Sequence, residues 1–165
     1  MIRKATLKDK HEVIAIYEAA IDLISKQGSA QWQGESRPSR KSFFADLDQD
    51  SIYVKEENGE IVAVVSLTTN EPEYDYIEGA WLSDKPYVIM RRVAKRSDRR
   101  GQPDIEDFLD YIHEELNYES IRISTHELNK PMQNFLLRNG FIYCGMIYLN
   151  EEYDNKRCAF QKDFD

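Results

Sequence analysis

Between positions 91 and 100 the chain gathers six cationic side chains, Arg91, Arg92, Lys95, Arg96, Arg99 and Arg100, interrupted by one acid, Asp98. The chain as a whole is acidic, with a formal net charge of −8. A local basic cluster in an acidic protein suggests a site for an anion. The plain alternative is a solvated strand edge and loop. Two further residues have types suited to moving protons. Glu78 lies in the aromatic segment YIEGAWL, which can wall a pocket, and His126 follows a strand candidate, where such sheets place ligand groups. Both serve equally well as surface or hydrogen-bonded structural side chains. His11 and His113 fall within helical patterns and read as structural. Trp32, Tyr74, Tyr76 and Trp81 suit either a substrate wall or ordinary core and rim packing. No metal-ligand spacing is visible, so no metal is expected. Cys144 and Cys158 have neither disulfide-framework nor metal spacing, and reduced thiols in a cytoplasmic protein are the plainer expectation.

These residues have to be positioned by elements that the pattern makes legible. Ile2 to Ala5 reads as a short strand, and Thr6 can cap a helix carrying Val13, Ile14, Tyr17, Ala20, Ile21 and Ile24 at helical spacing. That helix should stop near Gln27-Gly28, and Ser29 to Arg40 should form a loop. Ser39 is a cap for a second helix with Phe43, Phe44 and Leu47 on its apolar face. Ser51 to Lys55 and Glu60 to Thr69 form a hairpin around Asn58-Gly59, the return strand reading as buried on both faces. An irregular stretch, Asn70 to Pro86, precedes a strand from Tyr87 to Ala94.

The basic loop then leads to a helix with Pro103 in its first turn and Ile105, Phe108, Leu109 and Ile112 at i, i+3, i+4, i+7. A strand with Ile121, Ile123 and Thr125 follows, then a short helix with Met132, Phe135 and Leu136 ending at Asn139-Gly140. Phe141 to Leu149 and Arg157 to Lys162 should close the chain as a hairpin around Asp154-Asn155. The order β-α-α-β-β-β-α-β-α-β-β alternates only in part, which predicts an α/β fold with a mixed sheet flanked by about four helices.

The length suits a single domain spanning residues 1–165. The charge argues against nucleic-acid binding, which needs a basic footprint. No apolar run is long enough to span a membrane, and the N-terminus has no apolar core of a secretory signal.

Three segments carry a family likeness. IRKATLKDKHEVIAIYEAA resembles the first strand and helix of the GNAT N-acetyltransferases. VIMRRVAKRSDRRGQPDIEDFLDYI resembles their central strand, phosphate loop and following helix. ISTHELNKPMQNFLLRNGFIYCG resembles their closing strand, helix and Gly-Phe turn. The likeness spans essentially the whole chain, and the RRVA, STHELNKPMQ and NGFIYCG pieces resemble uncharacterised bacterial acetyltransferases of this fold.

The resemblance implies acetyl transfer from acetyl-CoA to a small-molecule or peptide amine by direct attack, with backbone donors polarising the carbonyl. It implies main-chain contacts from Val93 and Lys95 to the pantetheine arm, as an added strand would make. It implies a pyrophosphate held around Arg99, Arg100, Gly101 and Gln102 at a helix N-terminus, and Asn129 beside the thiol. By analogy with the fold, a homodimer using Tyr143, Tyr148 and Tyr153 is possible.

The chain departs from the family pattern at identifiable places. In one register Pro103 and Ile105 occupy the two small positions of the phosphate loop. In the other, Gly101 is the first glycine and Pro103 the second small position. Pro103 removes a backbone donor. Asp104, Glu106 and Asp107 suit a helix dipole but repel a pyrophosphate. The family's tyrosine acid on the last helix maps to Leu136, leaving Tyr143 or Tyr148 as substitutes. These departures motivate a second expectation, a protein of this fold that binds a ligand or partner without transfer.

Overall fold

The computed structural model describes residues 1–26, 37–151 and 153–165. The expected helix stop at Gln27-Gly28 and the loop residue Trp32 lie outside the described residues.

Asn58 and Gly59 turn the chain with φ of 53° and 78°, the left-handed pair that a two-residue hairpin requires. They join β2 (Ile52–Glu57) to β3 (Glu60–Thr68), and β1 (Ile2–Lys4) pairs antiparallel with the other edge of β2. Ser39 caps the second helix by accepting the Ser42 N–H at 3.1 Å, while the Ser42 hydroxyl accepts the Ser39 N–H at 2.7 Å. Thr6 opens a single 3-10 turn, Leu7–Asp9, in which its own N–H reaches the Asp9 carboxylate.

Among the described residues there are four α-helices: α1 (Lys10–Lys26), α2 (Arg40–Asp48), α3 (Asp104–Glu114) and α4 (Lys130–Arg138). Pro103 stands immediately before α3 rather than inside its first turn. The remaining strands are β4 (Glu78–Gly79), β5 (Tyr87–Lys95), β6 (Ser120–Thr125), β7 (Ile142–Tyr148) and β8 (Lys156–Asp163). β4 was not expected: within the stretch read as irregular, Glu78 and Gly79 pair with Met146 and Gly145 of β7.

The sheet runs β1-β2-β3-β5-β6-β8-β7-β4, antiparallel throughout except between β5 and β6. It is therefore mixed, as the element order predicts. On one face Val13, Ile16 and Tyr17 of α1 and Phe43 of α2 pack with Val54 and Val64. On the other, Ile105, Phe108, Leu109 and Ile112 of α3 and Leu136 of α4 pack with Ala63, Val65, Leu67, Val88 and Met90.

The irregularity that shapes the site is in β5. Arg91 faces Ser66 and Ala94 faces Val64, so Arg92 and Val93 together stand against Val65. This is a β-bulge, with Arg92 at φ 51°. It shifts the inside-outside alternation by one, so that Val88 and Met90 are followed by Val93, not by residue 92, on the α3 face. A non-glycine residue at positive φ is held at a cost of about 1–3 kcal/mol. Here the Arg92 guanidinium is anchored to buried Asp46 at 2.9 Å.

Candidate functional site

Parallel β5 and β6 pair only at Tyr87–Ser120, Val88–Ile121 and Ile89–Arg122. Beyond Ile89 the two strands part, and among the described residues Met90 to Lys95 has no strand partner on that side. β5 stays paired with β3 through Lys95 and β6 with β8 through Thr125, so the sheet parts between them. The divergence opens a cleft of about 1040 Å³. Its floor and walls include Met90, Val93, Ala94, Ile123, Ser124, Met132 and Phe135.

At one end the cleft meets the loop between β5 and α3. Arg96, Ser97, Arg100, Gly101, Gln102 and Glu106 line it there. The first-turn amides of α3 have no intrahelical acceptor and favour an anion. Gly101 has φ 84°, and a Cβ built on it meets no atom within 4 Å. A side chain there would therefore occupy open space. The Gln102 N–H closes the loop onto Arg99 O at 3.0 Å, and the Lys95 ammonium holds Gln102 O at 2.9 Å.

The basic cluster divides into separate tasks. Arg91 and Arg92 reach Asp46, each at 2.9 Å, and Arg91 also pairs with Glu71. Arg96 pairs with Asp98 and Glu60. Arg99, expected at the phosphate, is instead engaged with Asp104 and Glu57, both at 2.8 Å, and does not line the cleft. Arg100 is exposed at the mouth and makes no ion pair among the described residues.

The acids of α3 are also disposed of. Asp104 is fully buried and bonded to Lys55 at 2.8 Å, and Asp107 takes the same ammonium at 2.7 Å. Glu106 alone of the three borders the cleft. Ile105 packs into the core beneath the loop as well as bordering the cleft, so it crowds the approach less than its position in the pattern implies.

The expected proton-transfer side chains lie elsewhere. Glu78 is exposed on the outermost strand. Tyr143 is exposed and packs edge-on against Phe160. His126 is buried, with Nδ1 accepting the Leu128 N–H at 3.0 Å and Nε2 bonded to Asp154 at 2.8 Å. That arrangement ties the end of β6 to the β7–β8 turn, and His126 does not border the cleft. Tyr148 is outside the cleft too, its phenol pushed up first by a hydrogen bond with Glu78. Leu136 is core. Val93, Lys95, Arg100, Gly101, Gln102 and Asn129 do come together along the cleft. Asn129 Oδ1 also caps α4 at the Met132 N–H.

The cleft also holds groups that the pattern did not single out as catalytic. Glu71, Glu73, Tyr74, Ser124 and Arg157 line it. Burial pushes the Glu71 carboxyl up, against the opposing pull of Arg91. Tyr74 is buried, its phenol likewise pushed up by burial, and its hydroxyl donates to Ser124 Oγ at 3.0 Å. The one sequence signal for Glu71 is its place three residues after β3, before Pro72 opens a short 3-10 turn.

Neither a family model nor a curated relative matches the chain; the matches are among solved structures. An acetyltransferase of the GNAT family from Streptococcus agalactiae 2603 is 31% identical, covers 100% of this chain and 95% of its own, and superposes with a TM-score of 0.90. A ribosomal-protein-alanine N-acetyltransferase from Brucella melitensis is 19% identical over 99% of both chains, with a TM-score of 0.70. A GNAT-like decarboxylase, GphF, in complex with isobutyryl-CoA is 14% identical over 99% of this chain and 98% of its own, with a TM-score of 0.69. The latter two establish the shared fold. With the divergent strands in place and the streptococcal protein matched over the full length of this chain, the chain belongs to the GNAT family of acetyltransferases.

Proposed function

We propose that this protein transfers an acetyl group from acetyl-CoA to a small-molecule or peptide amine by direct attack. The carrying observation is the loss of pairing between β5 and β6 after Ile89, which opens a cleft leading to the loop at Gly101 before α3.

The residues fit the cofactor. The free edge of β5 offers main-chain groups of Val93 and Lys95 to an extended arm. Gly101 leaves open space where a phosphate must approach backbone, and Arg96 and Arg100 border it. Asp104 and Asp107, which would repel that phosphate, already have Lys55 and Arg99 as counter-charges. When bound, the thioester supplies the activated acyl carbon.

The chain's own groups supply the proton path. Glu71 takes the proton of the incoming ammonium, its raised pKa making it a stronger base than an ordinary carboxylate. Ser124 accepts from Tyr74, which leaves its own O–H free to hydrogen-bond the departing thiolate. Leu136 supplies no acid, which is the observation that favours the second reading, a ligand-binding protein without transfer.

Thermal unfolding with acetyl-CoA tests the proposal. A ligand at 100 times its Kd stabilises the fold by about 2.7 kcal/mol. Gly101→Val should lose most of that stabilisation, since its side chain enters the space a phosphate must use. No shift for the parent protein at millimolar acetyl-CoA would refute cofactor binding. A shift without thiol release from any amine would favour the second reading.

A further inference from the structure

Among the described residues, buried charges have a counter-charge or an aromatic ring against them, with one exception. Asp9 pairs with Arg3, Asp46 with Arg91 and Arg92, and Lys55 and Asp104 with each other. Arg122 makes no ion pair among the described residues but lies between the rings of Trp81 and Tyr87, at 4.3 and 3.9 Å. Arg157 is 4% exposed. Among the described residues it has neither a carboxylate within ion-pair distance nor a ring over its guanidinium. Its Nη1 donates to the carbonyl oxygens of Asp154 and Lys156 at 2.6 and 2.7 Å, which orients the group without neutralising it.

Taking an uncompensated cation out of water is costly, and burial accordingly pulls the Arg157 pKa down. Asp154, Glu151 and Glu73 oppose that pull from a distance, but none of them makes an ion pair with it. Arg157 borders the cleft, as do Glu73 and Leu149, and by alternation along β8 it shares the sheet face of Ala159, Tyr74 and Ile147, opposite α3. A ligand in the cleft can therefore bring it a counter-charge.

We infer that the acceptor is a small amine that also carries a carboxylate, received by Arg157 while its amino group faces Glu71. The inference rests on the acetyl-transfer reading above. A monoanion suits the site better than a phosphate dianion, because Glu73 lies near the same guanidinium. A planar guanidinium with one nitrogen already fixed presents its remaining donors to a carboxylate in a set orientation.

The test compares matched amines. Amino acids, including β-alanine and γ-aminobutyrate, are set against their primary amides, with thiol release read as kcat/KM on the free-base amine. The carboxylated member should be preferred by tenfold or more. Arg157→Gln should erase that preference by raising KM for the carboxylated member, and Arg157→Lys should restore part of it.

A second arm omits acetyl-CoA. The amino acids alone should raise the melting temperature of the parent protein more than their amides do. That arm reads the acceptor site directly, so a failure of acetyl-CoA to bind counts against the proposed function and not against Arg157. If Arg157→Gln fails to fold, both comparisons on the parent protein still decide the question. Equal use of amides and acids, no response to either, or a preference that survives in Arg157→Gln overturns the inference. So does an Arg157-dependent preference for succinyl-CoA over acetyl-CoA, which would place the carboxylate on the donor.

Discussion

Replacing Asp104 with alanine should destabilise the protein by about 3–5 kcal/mol, because it strips a buried cation of its partner. The value should fall near the lower bound. Lys55 keeps Asp107 at 2.7 Å, and Arg99 keeps Glu57 at 2.8 Å. For a chain of this length the melting temperature should drop by roughly 6–20 °C. The effect has a pH signature. Burial alone would raise the Asp104 pKa, but hydrogen bonds from Arg99 and Lys55 outweigh it and carry it from 3.8 to about 2.

A carboxyl whose folded pKa is depressed contributes stability that is full above its unfolded value and lost as pH falls through the folded one. The difference between parent and Asp104→Ala should therefore be constant at neutral pH and shrink between about pH 4 and pH 2. Denaturant melts across that range read it directly. A gap that persists unchanged to pH 2 would mean that the carboxylate is not the stabilising species. The same substitution should weaken acetyl-CoA binding, because Arg99 holds the loop before Gly101 against Asp104 at 2.8 Å.

That network also shows where sequence reasoning reaches and where it stops. The Asn58-Gly59 turn, the Ser39 cap and the i, i+3, i+4, i+7 face of α3 are local, so residue type and spacing are enough to place them. The cluster from Arg91 to Arg100 is equally visible as a run of charge. Its partners are not, because Asp46, Glu57 and Glu71 lie 20 to 46 positions away and reach it only through strand pairing. An anion site was therefore read into six cations, of which four are engaged with carboxylates of the protein itself.

The bulge was hidden for a different reason. The usual flag for positive φ is glycine or asparagine, and the residue there is Arg92, held by a tertiary ion pair. Yet the pairing of β5 with β6 ends just before that bulge. The two-residue β4 likewise carries no periodicity of its own and exists because β7 lies beside it. Glu71 and Arg157 were missed for the same reason: their significance is burial against a cleft, a property that neither flanking sequence encodes.

Glu71→Gln should lower kcat by a factor on the order of 100 to 10,000, the usual contribution of a positioned general base. The measurement needs the amine that gives the fastest thiol release from acetyl-CoA. In the parent protein the rate should fall on the acid side as Glu71 takes up its proton. Because burial raises that carboxyl above 4.5, the fall should begin at a higher pH than an exposed glutamate would give. In Glu71→Gln the acid limb should flatten, as no carboxylate remains there to protonate.

Loss of structure would give the same loss of rate, so stability has to separate the two. A group whose folded pKa is raised contributes stability that is full below its unfolded value and lost as pH rises through the folded one. At neutral pH the ionised Glu71 is therefore a burden on the fold, and a neutral amide of the same shape removes it. Arg91 is not stranded by the change, since it still reaches Asp46 at 2.9 Å. Glu71→Gln should thus melt within a few degrees of the parent while losing turnover. Glu73→Gln is the discriminating control, because Glu73 Oε1 is occupied by the Asn150 N–H at 3.1 Å. A large rate loss in Glu73→Gln with full activity in Glu71→Gln would move the base two residues along the chain. It would also place the acceptor's amino group on the same carboxylate that shares the surroundings of Arg157.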